Sequence, residues 1–283
     1  MPLLPANGIQ LHYIEKGEGE PLIFLHELSG TADSFAAQFR RLSRTYRCIA
    51  FNARGYPPSD VPQDESRYGV EFAVGDLEAL LDGFGIAKAH IVGLSMGAYT
   101  ALIFALRHPE RIGGLVVASS GNGSSADPSK GEGFVRGVFA HADRILERWG
   151  PDFIAEFGNS ANRRTLAVKD PKGHKRYLDG LKRASPQGFA YTLRRVLGER
   201  PSLYAMAAEL RALTVPTLLI CGDEDEGCLE ANIFLKRSMP SAGLAIMPKT
   251  GHLMNLEEPA GFNRLVEDFL AAVAQDRWPR RAT

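Results

Sequence analysis

The segment at residues 89–107 limits the possible folds most strongly, because it places one serine between a strand and a helix. The apolar run 89–92 is typical of a buried strand, and 98–107 has the composition of a helix. Between them stands the pentapeptide Gly-Leu-Ser-Met-Gly, residues 93–97. Its two glycines leave room for a sharp turn, because a Cβ there would collide with the adjoining strand or helix. A glycine-flanked serine also occurs in ordinary loops, so the rest of the chain has to decide whether Ser95 is a nucleophile.

Further polar residues follow predicted strands in the second half of the chain. One buried strand runs into Asp223 and Asp225, and a short apolar strand precedes His252. A serine needs a base to become a nucleophile, and the base needs a carboxylate to orient it. We therefore expect Ser95, one of the two aspartates and His252 to meet in the folded chain.

Strands and helices alternate along most of the sequence, which predicts the α/β class with a mostly parallel sheet covered on both faces. The alternating run 9–14 is expected to form an antiparallel start to the sheet with 21–25. Predicted strands are 9–14, 21–26, 46–51, 89–94, 113–119, 216–222 and 243–247, and predicted helices are 33–44, 70–84, 96–107, 229–238 and 257–274. The polar tail 275–283 is expected to fray.

The chain order of serine, acid and histidine resembles that of the α/β-hydrolase fold superfamily. The resemblance covers nearly the whole chain and indicates the serine-nucleophile, esterase-like branch with a helical cap. It implies that Ser95 is the nucleophile and His252 the general base. The family spacing Gly-x-x-Asp, counted from Gly222, favours Asp225 over Asp223 as the acid.

The segment 26–30, His-Glu-Leu-Ser-Gly, stands where the family has its oxyanion loop. By position, the resemblance implies that the backbone N–H groups of Leu28 and Met96 form the oxyanion hole and that His26 braces the loop. Glu27 replaces the glycine that usually follows the histidine. Two interpretations stay open: the loop tolerates a side chain there, or the carboxylate binds substrate or steers a water.

A long stretch between the strands predicted near 119 and 216 contains helical patterns only, at 134–149, 152–157, 171–183 and 185–197. In the α/β-hydrolase family an insertion at this point forms a cap over the active site. The resemblance therefore implies a helical cap at 121–212 and a core made of 1–120 and 213–283. Candidates for lining the substrate pocket, or for packing the cap's own core, are Val135, Phe139, Trp149, Phe153, Phe157, Phe189 and Tyr191.

Composition limits the partners. Basic and acidic residues balance at 33 each, so charge gives no case for nucleic acid or an anionic membrane. No apolar run is long enough for a membrane helix, and the N-terminus lacks the pattern of a signal peptide. The thiols of Cys48, Cys221 and Cys228 are typical of core cysteines in a reducing compartment, so we expect a cytoplasmic protein. We expect no metal and no cofactor, and the oligomeric state is left open.

These features predict a serine hydrolase that cleaves a small or medium hydrophobic carboxylic ester, or a lactone, through an acyl-enzyme. Carbon–carbon bond hydrolases of the same fold keep the serine, but their oxyanion loop usually reads His-Gly-x-Gly-Pro. Cofactor-free perhydrolases and haloperoxidases share the triad, and a ligand receptor with little turnover would also retain it. These alternatives stay open, since a fold does not fix a function.

Overall fold

A computed structural model describes residues 1–281 of the chain, and its framework is a single eight-stranded sheet. The strands are β1 (Leu3–Ala6), β2 (Ile9–Lys16), β3 (Pro21–Leu25), β4 (Arg47–Phe51), β5 (Ala89–Leu94), β6 (Ile112–Ala118), β7 (Thr217–Gly222) and β8 (Ala242–Met247). Their order is β1-β2-β4-β3-β5-β6-β7-β8, and neighbours from β4 to β8 are parallel. The predicted α/β class is confirmed.

The start of the sheet differs from the prediction. β2 pairs antiparallel with β4, with Tyr13 opposite Phe51, and not with β3. β3 lies between two parallel neighbours, and four of its five residues are buried. An apolar strand of this kind belongs in the centre of a sheet rather than in a hairpin at its edge. β1, which the sequence pattern does not predict, pairs with β2 at the edge.

Helices pack on both faces of the sheet. Outside the segment between β6 and β7 they are α1 (Ala36–Leu42), α2 (Val70–Gly83), α3 (Met96–Arg107), α10 (Glu226–Ser238), α11 (Met254–Glu257) and α12 (Pro259–Ala274). One apolar layer joins α2, α3 and α10 to the sheet, and the other joins α1 and α12 to its opposite face. None of the described helices is long and apolar enough to cross a membrane.

We call the segment between β6 and β7 the insertion. All of its regular secondary structure is helical. It contains α4 (Pro128–Arg148), α5 (Pro151–Gly158), α6 (Arg164–Lys169), α7 (Pro171–Leu181), α8 (Pro186–Thr192), a π-helical turn (Leu193–Gly198) and α9 (Ala207–Ala212). Its apolar side chains form one buried cluster that includes Leu28, Met96 and Leu253 of the rest of the chain. The insertion therefore packs over the carboxyl edge of the sheet. The division into core and cap at 121 and 212 stays a prediction.

The C-terminal tail is fixed to the sheet layer. The indole Nε1 of Trp278 donates to the carbonyl of Ser241 at 2.8 Å, and the Trp278 ring packs edge-on against Phe269. The backbone N–H of Arg281 donates to the carbonyl of Pro240 at 3.0 Å. The prediction that the tail frays is wrong as far as residue 281, and its last two residues lie outside the described part.

The turn between β5 and α3 is tight on both sides. Ser95 has φ 53° and ψ −109°, a conformation that residues with a side chain rarely adopt. A Cβ on Gly93 would lie 2.5 Å from the Cα of Ala98, and a Cβ on Gly97 would overlap the carbonyl group of Leu25 in β3. These close approaches explain both glycines and fix the position of Ser95.

Gly97→Ala is expected to destabilise the protein by about 1–3 kcal/mol, as overpacking commonly does. The added methyl would meet the backbone of a central strand, which cannot rotate away as a side chain can. Urea unfolding measures the effect, and Gly137→Ala is the matched control. A Cβ on Gly137 meets nothing within 4 Å in the middle of α4, so that change should be neutral or stabilising. Equal stability of Gly97→Ala and wild type would contradict the packing argument.

Candidate active site

The carboxyl ends of four parallel strands carry the predicted site. β3 leads into the segment 26–30, β5 into Ser95, β7 into the loop with Asp225, and β8 into the loop with His252. Parallel strands present their carboxyl ends at one edge of a sheet, which is where open α/β sheets bind ligands. The topology therefore gathers residues that are far apart in the sequence.

Ser95, His252 and Asp225 form one hydrogen-bonded chain. His252 Nε2 lies 2.9 Å from Ser95 Oγ, and Nδ1 lies 2.8 Å from Asp225 Oδ2. Burial raises the pKa of Asp225, but the neighbouring His252 and its hydrogen bond outweigh burial, and the pKa lies below its ordinary value. The ionised Asp225 thus accepts from Nδ1–H, which leaves the Nε2 lone pair facing the Ser95 hydroxyl.

Asp223, the other candidate for the acid, stands apart from this chain. It is exposed, and its carboxylate accepts the backbone N–H of Thr250 at 3.1 Å. Its bond helps to shape the loop before His252. The structure therefore brings Asp225 and not Asp223 to the imidazole.

The peptide between Glu27 and Leu28 is held in one orientation. The carbonyl oxygen of Glu27 accepts from the Gly30 N–H at 3.0 Å and lies 2.7 Å from His26 Nδ1. In a trans peptide the N–H points away from the carbonyl oxygen, so the Leu28 N–H faces away from these partners. Met96 begins α3, where N–H groups lack an intrahelical acceptor. Neither N–H donates to a backbone carbonyl among the described residues, so both are available to an oxyanion.

His26 acts on this loop in one fixed tautomer. Its Nε2 accepts the backbone N–H of Ala53 at 3.0 Å, which makes Nδ1 the donor to the Glu27 carbonyl. Burial lowers the pKa of His26 to about 4, so the ring stays neutral near pH 7. The ring therefore ties the loop after β3 to the loop after β4, in line with its predicted bracing role.

Two groups that sequence reasoning missed hold the loop around His252. The carboxylate of Glu257 accepts the N–H of Gly251 at 2.7 Å and that of Leu253 at 3.1 Å. The His252 N–H donates to the carbonyl of Asn162, in the insertion, at 2.8 Å. The position of Glu257, five residues after the histidine, offered a signal. Asn162 offered none, because a carbonyl contact depends on the packing of the insertion and not on residue type.

Five of the seven predicted lining residues lie in or against the cluster that contains Leu28 and Met96, namely Phe139, Trp149, Phe153, Phe157 and Phe189. The rings of the last four pack against one another with centroids 5.5–6.3 Å apart. Val135 instead lines a separate groove beside residues 122–125, and Tyr191 packs against Tyr68. The insertion therefore places a largely aromatic wall against Leu28 and Met96.

Among the described residues, one group combines three side chains that could ligate a metal: Asp225, Cys228 and His252, with ligand atoms within 4.8 Å of one another. Asp225 and His252 already bond to each other. Burial holds the pKa of the Cys228 thiol well above its ordinary value, so the thiol stays protonated and is a poor ligand. The group is better suited to orienting the imidazole than to holding a cation.

Glu27 is fully buried, with 0% of its surface exposed. Neither of its carboxyl oxygens has a hydrogen-bond partner within the described part of the chain. Burial raises the pKa of this carboxyl, although the nearby His252 and Arg163 oppose the shift. Burying a carboxyl group without hydrogen-bond partners is costly. A side chain that the loop merely tolerates would be expected to point into solvent instead.

Glu27→Gln is expected to gain stability relative to wild type as the pH rises. The folded protein binds the Glu27 proton more tightly than the unfolded chain does. The resulting stability is complete below the ordinary pKa of 4.5 and is lost as the pH rises through the folded value. Glutamine cannot ionise, so the difference in free energy of unfolding should grow across this window.

Urea unfolding at pH 4, 6 and 8 measures this difference. Glu267→Gln is the control. Glu267 lies on α12, is partly exposed and forms a salt bridge with Arg41 of α1. A difference between wild type and Glu27→Gln that does not change with pH would contradict the raised pKa.

A mostly parallel sheet with a serine at the tight turn after a central strand is the arrangement typical of the α/β-hydrolase class. The chain belongs to the α/β-hydrolase fold family, whose model matches residues 20–259. The predicted superfamily is thus confirmed.

Individual relatives span nearly the whole chain. It is 33% identical over 280 residues to the 2-hydroxymuconate semialdehyde hydrolase of Pseudomonas putida, covering 94% of this chain and 92% of the relative. It is 29% identical to a Bacillus subtilis protein named as a 2-succinyl-6-hydroxy-2,4-cyclohexadiene-1-carboxylate synthase, covering 95% and 97%. The structure of a thermophilic esterase from Thermogutta terrifontis matches with a TM-score of 0.83 at 25% identity, covering 96% and 98%.

Proposed function

We propose that the protein is a serine hydrolase that cleaves compact, largely apolar carboxylic esters or lactones through an acyl-enzyme. The observation that carries the proposal is the hydrogen-bonded chain from Ser95 through His252 to Asp225. The aromatic wall beside Leu28 and Met96 favours a small or medium apolar substrate over a polymer. The chemistry needs no cofactor, since all its groups come from the protein.

In this mechanism His252 Nε2 takes the proton of Ser95 as Oγ attacks the substrate carbonyl. Asp225 holds the Nδ1–H tautomer and stabilises the imidazolium. The N–H groups of Leu28 and Met96 donate to the oxyanion, and each is worth about 3–4 kcal/mol of barrier. His252 then protonates the leaving alcohol, and a water that it deprotonates releases the acid from Ser95.

Carbon–carbon bond hydrolysis is the second candidate. It is favoured by the relative at 33% identity, whose name describes a hydrolase of 2-hydroxymuconate semialdehyde. The loop 26–30 speaks for the first candidate, since it reads His-Glu-Leu-Ser-Gly and not His-Gly-x-Gly-Pro. The same three residues would serve either reaction, so the difference lies in the substrate bound.

A substrate panel separates the two candidates. We expect turnover of p-nitrophenyl esters between acetate and decanoate, with an optimum at short or medium chains, and turnover of a simple γ-lactone. 2-Hydroxymuconate semialdehyde, followed by loss of its absorbance, probes the alternative. A much higher kcat/KM for that compound than for any ester or lactone would reverse the order of the candidates.

Two further activities are tested in the same assay. Hydrogen peroxide added to the ester assay tests for perhydrolysis. If the protein hydrolysed none of the panel substrates while a fluorophosphonate still labelled Ser95, a ligand receptor would be favoured.

A further inference from the structure

A groove of about 180 Å³ lies where the beginning of the insertion meets a segment near its end. One wall consists of the loop after β6 and the start of α4, within residues 122–135, and the other consists of residues 197–202. We call this feature the α4 groove. Neither Ser95 nor His252 lines it, so the proposed mechanism gives it no role.

Arg200 is the only basic residue among the described residues that line the α4 groove. Its Nη2 donates to the carbonyl of Asn122 at 2.7 Å, and its guanidinium lies 4.6 Å from the centroid of the Tyr99 ring. Nε and Nη1 have no hydrogen-bond partner in residues 1–281, and neither is closed to solvent. The guanidinium is therefore held in place while two of its nitrogens keep donors for a ligand.

The charge of Arg200 has no counter-ion in the described part of the chain. The titratable groups that act on it are those of Tyr99 and Cys228. Burial raises the pKa of Tyr99 to about 12 and that of Cys228 well above its ordinary value, so both groups are neutral near pH 7. Burial also lowers the pKa of Arg200, although a guanidinium stays protonated in proteins. Because a desolvated charge without a partner is costly, an anion in the groove would offset this cost.

Three hydroxyl groups add further donors to the lining, those of Ser124, Ser125 and Ser202. Each hydroxyl oxygen accepts a backbone N–H at 3.1–3.4 Å. None of the three O–H groups donates to an acceptor within residues 1–281, so each is free to donate to a ligand. The groove therefore offers mainly donors, as a site for an oxyanion requires.

The rest of the lining limits the kind of anion. Glu132 is the one acidic residue among the described lining residues, and it is exposed and lies 3.7 Å from Arg136. One guanidinium facing one rim carboxylate suits a single negative charge better than a double one. Apolar side chains form the remaining wall, namely Phe134, Val135 and Leu197. A carboxylate that carries an apolar chain matches both parts of the lining.

We propose that the α4 groove binds a monocarboxylate with a short apolar chain, its carboxylate on Arg200 and its chain against Phe134 and Val135. The inference goes beyond the proposed function and does not depend on it, because the groove contains none of the reacting groups. The acid that the proposed reaction releases belongs to this class, so the product of the enzyme is itself a candidate occupant.

Calorimetric titration of the wild-type protein at pH 7 and constant ionic strength tests the proposal without any turnover. The probes are sodium acetate, sodium hexanoate and sodium phosphate. We expect hexanoate to bind most tightly, with a gain of about fourfold over acetate for each methylene that the groove buries. Absence of hexanoate binding, or tighter binding of phosphate than of hexanoate, would overturn the assignment.

Variants locate the binding site. Arg200→Gln should weaken hexanoate binding at least about tenfold, since it removes charge-assisted hydrogen bonds. Arg148→Gln, which removes the same charge at the far end of α4, should leave the affinity unchanged. Equal losses in the two variants would show a general effect of charge and contradict a site at Arg200.

A second pair of variants keeps the test decisive if Arg200→Gln unfolds. Val135 is partly exposed on α4, so the helix should tolerate a longer side chain there. Val135→Glu puts a negative charge into the groove and should abolish hexanoate binding, whereas Val135→Gln, of the same size, should weaken it far less. Binding that survives both Arg200→Gln and Val135→Glu lies elsewhere, for example beside Ser95, and would overturn the proposal. Failure of the proposed function would appear separately, as the absence of ester and lactone turnover.

Discussion

Ser95→Ala should lower kcat for every ester that the wild-type protein hydrolyses by roughly 10⁵- to 10⁶-fold, the loss seen when a serine nucleophile is removed from a triad. The hydroxyl that lies 2.9 Å from His252 Nε2 would be gone, and no acyl-enzyme could form. Alanine keeps the Cβ of serine, so the turn at φ 53° is no more strained than before. The unfolding midpoint should therefore stay close to that of wild type.

The measurement is single-turnover and steady-state kinetics with the best p-nitrophenyl ester, together with fluorophosphonate labelling. Ser43→Ala, at the end of α1 and outside the site, is the matched control and should retain full activity. Labelling should be lost in Ser95→Ala only. Activity in the Ser95→Ala protein within tenfold of wild type would show that another group attacks the substrate.

Asp225→Asn should lower kcat by about 10⁴-fold, because an amide holds the wrong tautomer of a catalytic histidine. Asp225 Oδ2 accepts from His252 Nδ1, whereas the NH₂ of asparagine would donate to it and turn Nε2 into a donor facing Ser95. A base with a proton already on Nε2 cannot accept the serine proton. The loss should appear in kcat more than in KM, since no apolar wall of the pocket changes.

Asp223→Asn is the matched control for this change. Asp223 lies two residues away in the same loop, is exposed, and bonds to the Thr250 N–H. Its replacement should alter kcat by less than about threefold, in line with surface substitutions away from a site. If Asp223→Asn proved the more damaging of the two, the assignment of the acid would have to be exchanged.

Much of the sheet and of the triad follows from local sequence patterns. The strands before Ser95, Asp225 and His252 are short apolar runs, and parallel strands bring their carboxyl ends together whatever lies between them. The glycines at 93 and 97 similarly indicate a tight turn, because a Cβ at either position would overlap neighbouring backbone. These signals are local, so they can be read without knowledge of the tertiary structure.

Other features depend on contacts between distant segments and leave no local pattern. β2 bonds to β4 and not to its sequence neighbour β3, because the apolar β3 belongs at the centre of the sheet. Glu27 is buried where the loop after β3 meets the insertion, whose Arg163 and Tyr177 lie near its carboxyl. The tail 275–283 is mostly polar, but its Trp278 donates a hydrogen bond to the carbonyl of Ser241 beside the sheet.

The bond between the His252 N–H and the Asn162 carbonyl has a consequence for how this chain can diversify. The base takes part of its support from the same segment that supplies the aromatic wall. Exchanging residues 121–212 for those of a relative would replace the lining and the support of the imidazole in one event. Such an exchange would keep the imidazole supported only if the incoming segment placed a backbone carbonyl opposite the His252 N–H.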